Sequence, residues 1–490
     1  MTLLDLFDAS VAERGTAFAV NDVSYAALAA GVLRVAHRLR ERGLQPGDRI
    51  ALFCENRLAF IYTYLAALRL GAIAVPANVL YRASDLAHVL VDADVSFVLA
   101  SQETLPHLAQ LSAPPVLAAE SVEAWAADAG AEAAPLPLLP EPEAPAIIVY
   151  TSGTTGRSKG AVLTHSNLAV IASQLLTAWR WTKVDTLASA LPLFHVHGLC
   201  AALNGTLASG GRLLLEKRFD AASMLARLQL PGVTMFFGVP TMYVRLLELP
   251  DPLAFPRLRL CVSGSAALSA DVFDRFAARF GITILERYGA TEFGFALGNR
   301  YGGPRVAGSV GIPFPGVRVR IADPADESKA ADGVGELLVS GPNVFAGYWR
   351  NPAATDAASV VDADGTRWYR SGDLAGYDAQ RQVYRIVGRL KDLIVSGGFN
   401  IYPLEVENEI DRFPGVRASA VVGASDAARG ESVVAFIETE PGAAFDEAAL
   451  IAWLRTRIAS FKLPKRINVV DALPRNALGK VEKTKLRARV

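Results

Sequence analysis

The chain reads as an α/β protein, with a large N-terminal domain of mostly parallel sheets and flanking helices followed by a small mobile α+β C-terminal domain. Two observations predict this. Apolar strand-like runs alternate with helical patterns through the first part of the chain, the order that a parallel sheet with crossover helices requires. Near residue 388 the pattern changes: VGRLKDLIVSGGFNIYP is charged and then Gly-rich, and about a hundred residues of short α/β pattern follow, a length typical of a small domain. The expected domains are 1–388 and 389–490, with a hinge where they meet.

The elements follow in order. In SYAALAAGVLRVAHRLRERG apolar residues recur at helical spacing, with Ser24 as N-cap and Gly43 as stop. DRIALFCE reads as a strand, and RLAFIYTYLAALRLG, AIAVPAN, DLAHVLVDAD and VSFVLAS continue as helix, strand, helix, strand. The Pro- and Glu-rich AEAAPLPLLPEPEAPA is a surface connection. Beyond it the alternation resumes through VTMFFGVP, TMYVRLLEL, LRLCVSGSA, SADVFDRFAARFG and ITILERYG. VENEIDRF, SAVVGA, VVAFIET and LIAWLRTRIASF make up the small domain.

Composition narrows the function. With 490 residues, 51% of them apolar, the chain has ample material for cores. Lys+Arg and Asp+Glu both total 49, so no surplus charge points to nucleic acid or an anionic membrane, and anion affinity must be local. Cys54, Cys200 and Cys261 stand far apart, and the histidines show no ligand pairing beyond His195 and His197. That pattern argues against structural zinc and for a reduced, cytoplasmic compartment. MTLLDLFDAS lacks the basic start of a signal peptide, and the apolar stretch IYTYLAALRLGAIAVPANVL is interrupted by Arg69 and Pro76, so no membrane span is expected. The expected assembly is a monomer or a homodimer.

The segment YTSGTTGRSKG, Tyr150 to Gly160, holds three glycines, six hydroxyl or phenol groups, an arginine and a lysine directly after the apolar AIIV. Backbone N–H groups and hydroxyls in such a run converge on one point, and Lys159 adds charge, so a phosphate chain is the natural guest. A Walker A loop is excluded, because Ser158 precedes the lysine and Gly160 follows it. The GxSxG formula is met by Gly156 to Gly160, but Ser158 lies far past the strand-like IIV and runs into the β-like AVLTH. A hydrolase elbow needs a tight strand-to-helix turn. A solvated Gly/Ser linker is disfavoured beside a buried strand.

TSGTTGRSKG, RYGATE (Arg287–Glu292), SGD (Ser371–Asp373), GRLKDLI from Gly388, and PRNALGK ending at Lys480 together resemble the adenylate-forming superfamily, which includes acyl-CoA synthetases, nonribosomal adenylation domains and luciferase. The resemblance covers nearly the whole chain and implies ATP, Mg2+, coenzyme A and a small-molecule carboxylic acid. It implies that Thr151, Ser152, Gly153, Thr154, Thr155, Gly156 and Lys159 wrap the β- and γ-phosphates, that Thr291 donates to the α-phosphate and that Glu292 holds Mg2+. Gly264, Ser265 and Ala266, with Glu286, Arg287, Tyr288 and Gly289, would border the adenine and ribose; Asp373 would accept from the ribose hydroxyls with Arg389 beside it. Lys480 would enter the site when the small domain closes about Lys391, and Ser396, Gly397 and Gly398 would line the path of the CoA thiol arm. Taken singly, Glu292 is equally a solvated glutamate, Asp373 and Arg389 an ordinary ion pair, and Lys480 one lysine among Lys483 and Lys485.

For the acid, LPLFHVHG places His195 by the carboxylate in the same family segment, although a strand-end histidine fits the residues equally. In GVPTMYVRLLE, Thr241 can cap a helix and Arg245 lies on its face four residues on, so the guanidinium can point back into the cleft. A buried arginine suits a second carboxylate. GVPTMYxR, PLFHVHGL and VSGSAAL are similar to malonyl-CoA synthetases, which implies that Arg245, with His195, Ser265 and Ala290, forms the acid pocket. Ala290 stands where those enzymes carry methionine, and the missing bulk favours methylmalonate or a longer acid as well. The alternatives are a monocarboxylic fatty or aryl acid, with Arg245 facing solvent, and a carrier protein in place of CoA as acceptor.

Overall fold

The computed structural model describes residues 1–130, 136, 140–151, 157–250, 255, 257–324, 326–426, 429–476 and 479–490. Four sheets organise the chain. In the first, strands Phe18–Val20, Arg212–Leu215, Thr186–Ser189, Met235–Gly238, Leu260–Ser263 and Leu285–Tyr288 run parallel, with short antiparallel strands at both edges. In the second, Val116–Ala118, Phe97–Ala100, Arg49–Phe53, Ile73–Pro76 and Pro145–Thr151 run parallel, Lys159–Thr164 follows antiparallel and the short Gly347–Tyr348 forms the edge beside it. The mostly parallel α/β expectation for the large part therefore holds.

The helices form where the apolar spacing placed them. Tyr25–Glu41 starts at Ser24, whose side chain accepts from the Ala27 amide, and Gly43 after its end takes φ +97°, a conformation that costs glycine little. Leu58–Arg69 is buried along nearly its whole length, so its sequence reads apolar all round. The first two sheets share one apolar core. Within it Trp179 meets Phe237 edge-on at 5.2 Å and Phe314 at 5.9 Å.

Two features differ from expectation. Residues 318–389 build a six-stranded antiparallel sheet rather than more of the parallel pattern: RVRIAD turns back into Asp326–Ala330 on one side and pairs with VGELLVS on the other, with no crossover helix among these three strands. Thr241 does not cap its helix: Pro240–Leu247 starts after the extended Val239, and Pro240 opens the first turn, where its missing N–H costs nothing.

The last sheet comprises Ile394–Ser396, Phe399–Ile401, Val416–Asp426, Gly430–Thr439 and Arg466–Val470. It has its own core, including Ile394, Val406, Val421, Ile437 and Leu454. It touches the large body along one helix face: Arg417 pairs with Glu248 at 3.2 Å, and Gly479 lies so close to Thr241 that an added Cβ would sit 2.8 Å from its Oγ1. Among the described residues no helix is long and apolar enough to cross a membrane.

Candidate active site

The parallel strands of the first sheet end at Ser189, Gly238, Ser263 and Tyr288, and the loops that follow carry His195, Gly264–Ala266 and Ala290–Glu292. Ligands collect at this edge of open α/β sheets because the strands and helix starts leave a crevice there. Along Leu285–Tyr288 side chains alternate between faces. Glu286 and Tyr288 share one face. Glu286 accepts from the Gly308 amide at 3.0 Å and is pushed up to about 8 by burial, while the Tyr288 hydroxyl donates to Asp373 at 2.6 Å. The other Asp373 oxygen meets Arg389 Nε at 3.0 Å, so the carboxylate is held from two sides.

Arg287 takes the opposite face, away from Asp373. It is 5% exposed, lies over the Phe295 ring at 4.6 Å and donates to Ser265 Oγ at 3.3 Å; Nε has no partner among the described residues. Among the described residues no carboxylate answers its charge, and burial lowers its pKa to about 9. Two glycine-like constraints make room for it. A Cβ on Gly264 would lie 2.4 Å from Arg287 Nε, and Ser265 adopts φ +70°, which turns its hydroxyl toward both Arg287 and His197 Nδ1, the latter at 3.3 Å.

His195 joins the same pocket. Its Nδ1 accepts from the His197 amide at 3.2 Å, which leaves the proton of the neutral ring on Nε2. Burial, then the charges of Arg287 and Lys480, lowers His195 to about 3, and burial also holds His197 well below its ordinary value. Both rings are therefore neutral at physiological pH. His197 was not singled out as a site residue; the HVH spacing was the available signal, but only the fold shows both rings turning to one arginine.

Arg245 does not reach this pocket. It is exposed, and its guanidinium lies over the Phe219 ring at 5.2 Å. Thr241, Arg245 and Glu248 form one stripe of the helix, and that stripe faces the C-terminal sheet through the Gly479 and Arg417 contacts.

Lys480 does reach it. Desolvation at the cleft, then the charge of Arg389, brings its pKa down to about 8, and Asp373 and Asp392 oppose the shift. Its loop is shaped locally, with Asn476 Oδ1 accepting from the Lys480 amide at 3.0 Å. Lys391 lies in the turn Leu390–Asp392, and Asp392 pairs with Arg487 at 2.7 Å, on the helix that follows Lys480. Ser396, Gly397 and Gly398 are not brought to the cleft: they form a hairpin turn whose glycines are exposed, with Gly397 and Gly398 at φ +58° and +84°.

On the phosphate side, Ser152, Gly153, Thr154, Thr155 and Gly156 lie outside the described residues. Thr151 and Lys159 are paired across the two strands that flank them. The Lys159 ammonium sits 4.7 Å from the Tyr348 ring, and the Tyr348 hydroxyl donates to Glu292 Oε1 at 2.9 Å. Glu292 is buried, and Thr291 and Ala290 precede it half-buried. Gly289 precedes them where a Cβ would lie 2.0 Å from the Gly294 carbonyl oxygen, so no other residue fits that turn. Among the described residues no cluster of three or more His, Cys, Asp or Glu side chains exists to hold a metal by protein alone.

A cavity of about 390 Å3 opens beside His195; Pro192, Phe194 and Met242 line it, and Arg82, Lys217 and Arg218 stand at its exposed side. A larger surface hollow of about 500 Å3, by Arg259, Thr283 and Arg305, lies at the opposite ends of the strands and holds none of these residues.

Residues 7–349 match the model of the AMP-binding enzymes, and residues 405–480 match the C-terminal domain of the same enzymes. The chain belongs to the AMP-binding enzyme family. It is 37% identical to a feruloyl-CoA synthase of Amycolatopsis sp over 95% of this chain and 94% of the relative. The mitochondrial malonate–CoA ligase of Homo sapiens is 33% identical, over 90% of this chain and 82% of its own length. The crystal structure of ATP-bound MatB from Rhodopseudomonas palustris superposes with a TM-score of 0.91 at 39% identity, covering 100% of this chain and 99% of that one. As a member of this family the chain is an AMP-forming acid–CoA ligase that uses ATP and CoA.

Two outcomes are expected. Gly264→Ala should lower stability by about 1–3 kcal/mol through overpacking against Arg287, read by urea unfolding. Carbon-13 NMR of labelled lysines should show Lys480 titrating near 8 in the free protein, below the ordinary lysine value of about 10.4.

Proposed function

We propose that this acid–CoA ligase activates a short dicarboxylic acid, malonate first and methylmalonate second. The observation that carries the reading is the buried Arg287 with no carboxylate partner. A buried cation without an anion is costly by several kcal/mol, and a ligand that brings the missing charge recovers that energy on binding. A fatty or aryl monocarboxylate spends its single charge on the reacting end and leaves Arg287 unanswered. With His195 and His197 neutral, Arg287 and protonated Lys480 are the two cations available for a substrate that carries two carboxylates. Ala290 leaves space beside them for a methyl branch.

A carboxylate does not yield oxide to a thiol, so it must first acquire a leaving group. One carboxylate attacks the α-phosphate of ATP and pyrophosphate departs; the thiolate of CoA then attacks the acyl carbon and AMP departs. In the first step two anions approach each other, and cations and donors must offset the repulsion. Lys480 supplies positive charge on the carboxylate and bridging oxygen, His195 donates from Nε2, and Thr291 donates to the α-phosphate. Thr151 to Gly156 and Lys159 take the β- and γ-phosphates, and Asp373 with Arg389 takes the ribose. Glu292, a buried carboxylate, would hold Mg2+, an ion usually bound by one or two carboxylates together with substrate phosphates. When bound it neutralises phosphate charge.

The cavity lined by Pro192, Phe194 and Met242 offers the thiol arm a route, with Arg82 at its exposed side, where Lys217 and Arg218 pair with Glu103. The domains divide at 388/389, and a turn about Lys391 exchanges the Lys480 face for the Ser396–Gly398 hairpin. The separate core of the C-terminal sheet supports that division.

A panel of acids assayed with ATP and CoA tests the reading. Malonate should outrun ferulate and butyrate, and Arg287→Ala should lower kcat/KM for malonate by about 100-fold or more, the cost of leaving a charge unpaired. Arg245→Ala should change it by less than about threefold, as expected of an exposed charge. Ferulate preferred by the wild type, or malonate turnover unmoved in Arg287→Ala, would remove the dicarboxylate reading. A second outcome follows from Lys480. Because the charged form is needed, kcat/KM for acyl-adenylate formation should fall as pH rises through about 8, and that limb should vanish in Lys480→Ala.

A further inference from the structure

A long Gly-rich loop grips a nucleotide only if its two ends are held, because each free residue must otherwise be ordered on binding. One helix that carries none of the motif residues holds both ends. From Ala83–Asp92, Asp92 Oδ2 accepts the phenol proton of Tyr150 at 2.6 Å, on the strand that enters the loop. One turn earlier, His88 Nε2 lies 2.8 Å from the carbonyl oxygen of Ser158, where the loop leaves. The two residues are four apart and share a helix face. A carbonyl oxygen only accepts, so Nε2 carries the proton and His88 is the donor. The His88 ring also meets Tyr150 edge-on, with centroids 5.9 Å apart at 83°.

We propose that His88 is a positioning residue for ATP: its bond to the Ser158 carbonyl sets the exit of the phosphate loop and with it the direction of Lys159. The Asp92–Tyr150 bond fixes the entry in the same way. His88 touches no phosphate itself. Lys159 is the next residue after Ser158, and its ammonium already stands over Tyr348, the partner of Glu292, so a small shift at Ser158 moves the cation away from the metal side of the site. The inference rests on the proposed grip of Thr151–Lys159 on the β- and γ-phosphates.

Calorimetric titration of the full chain with Mg-ATP and, separately, with AMP tests it, since AMP lacks the phosphates the loop would hold. His88→Leu should weaken Mg-ATP by about tenfold and leave AMP within about twofold, the size expected for one lost anchoring hydrogen bond. His88→Gln, whose amide can donate to the same carbonyl, should restore most of the affinity. Equal weakening of ATP and AMP, no weakening of either, or no rescue by glutamine would overturn the role. Should His88→Leu fail to fold, Tyr150→Phe removes the other anchor, and the same split between ATP and AMP is required of it. Lys159→Ala separates the two levels of the argument. ATP affinity unchanged there removes the loop reading and this proposal with it; ATP weakened there but not in His88→Leu overturns His88 alone.

Discussion

A guanidinium buried without a carboxylate is the constraint around which this site is built. Among the described residues the cost of desolvating Arg287 is offset by Ser265 and the Phe295 ring, neither of which carries a negative charge. Gly264 and the left-handed Ser265 are consequences of the same arginine, one leaving it space and the other giving it a hydroxyl. The depressed values of His195 and His197 follow from burial beside that charge, which keeps both rings neutral.

The same strand separates two chemistries by its pleat. Tyr288 and Glu286 turn toward Asp373 and Gly308, whereas Arg287 turns to the histidines, so residues adjacent in sequence serve opposite sides of one sheet edge. Lys480 reaches between them from the C-terminal part, close enough that Arg389, Asp373 and His195 all feel or affect its charge. Its lowered pKa is thus a property of the assembled cleft, because the charges that act on it, those of Arg389, Asp373, Asp392 and Lys391, all lie outside the lysine's own loop.

Much of this was legible before folding was considered. Helix and strand positions follow from local periodicity, as with Tyr25–Glu41 between Ser24 and Gly43, and TSGTTGRSKG, RYGATE and the terminal lysine motif are short runs that point to one chemistry only when read together. The antiparallel sheet of 318–389 was not legible, since strand patterns do not state whether a turn or a crossover joins them. Arg245 and Arg287 show the other limit. The sequence reading placed Arg245 in the acid pocket and Arg287 at the adenine, whereas the fold leaves Arg245 exposed and buries Arg287.

What the sequence alone determined is the α/β class and the positions of its elements, because each depends on neighbours within a few positions. Which arginine is buried, where His88 and Asp92 stand relative to the phosphate loop, and how far Lys480 is desolvated were decided only by tertiary structure. Those properties depend on which distant segments pack against a side chain, and charge–charge and burial energies act through space without regard to position along the chain.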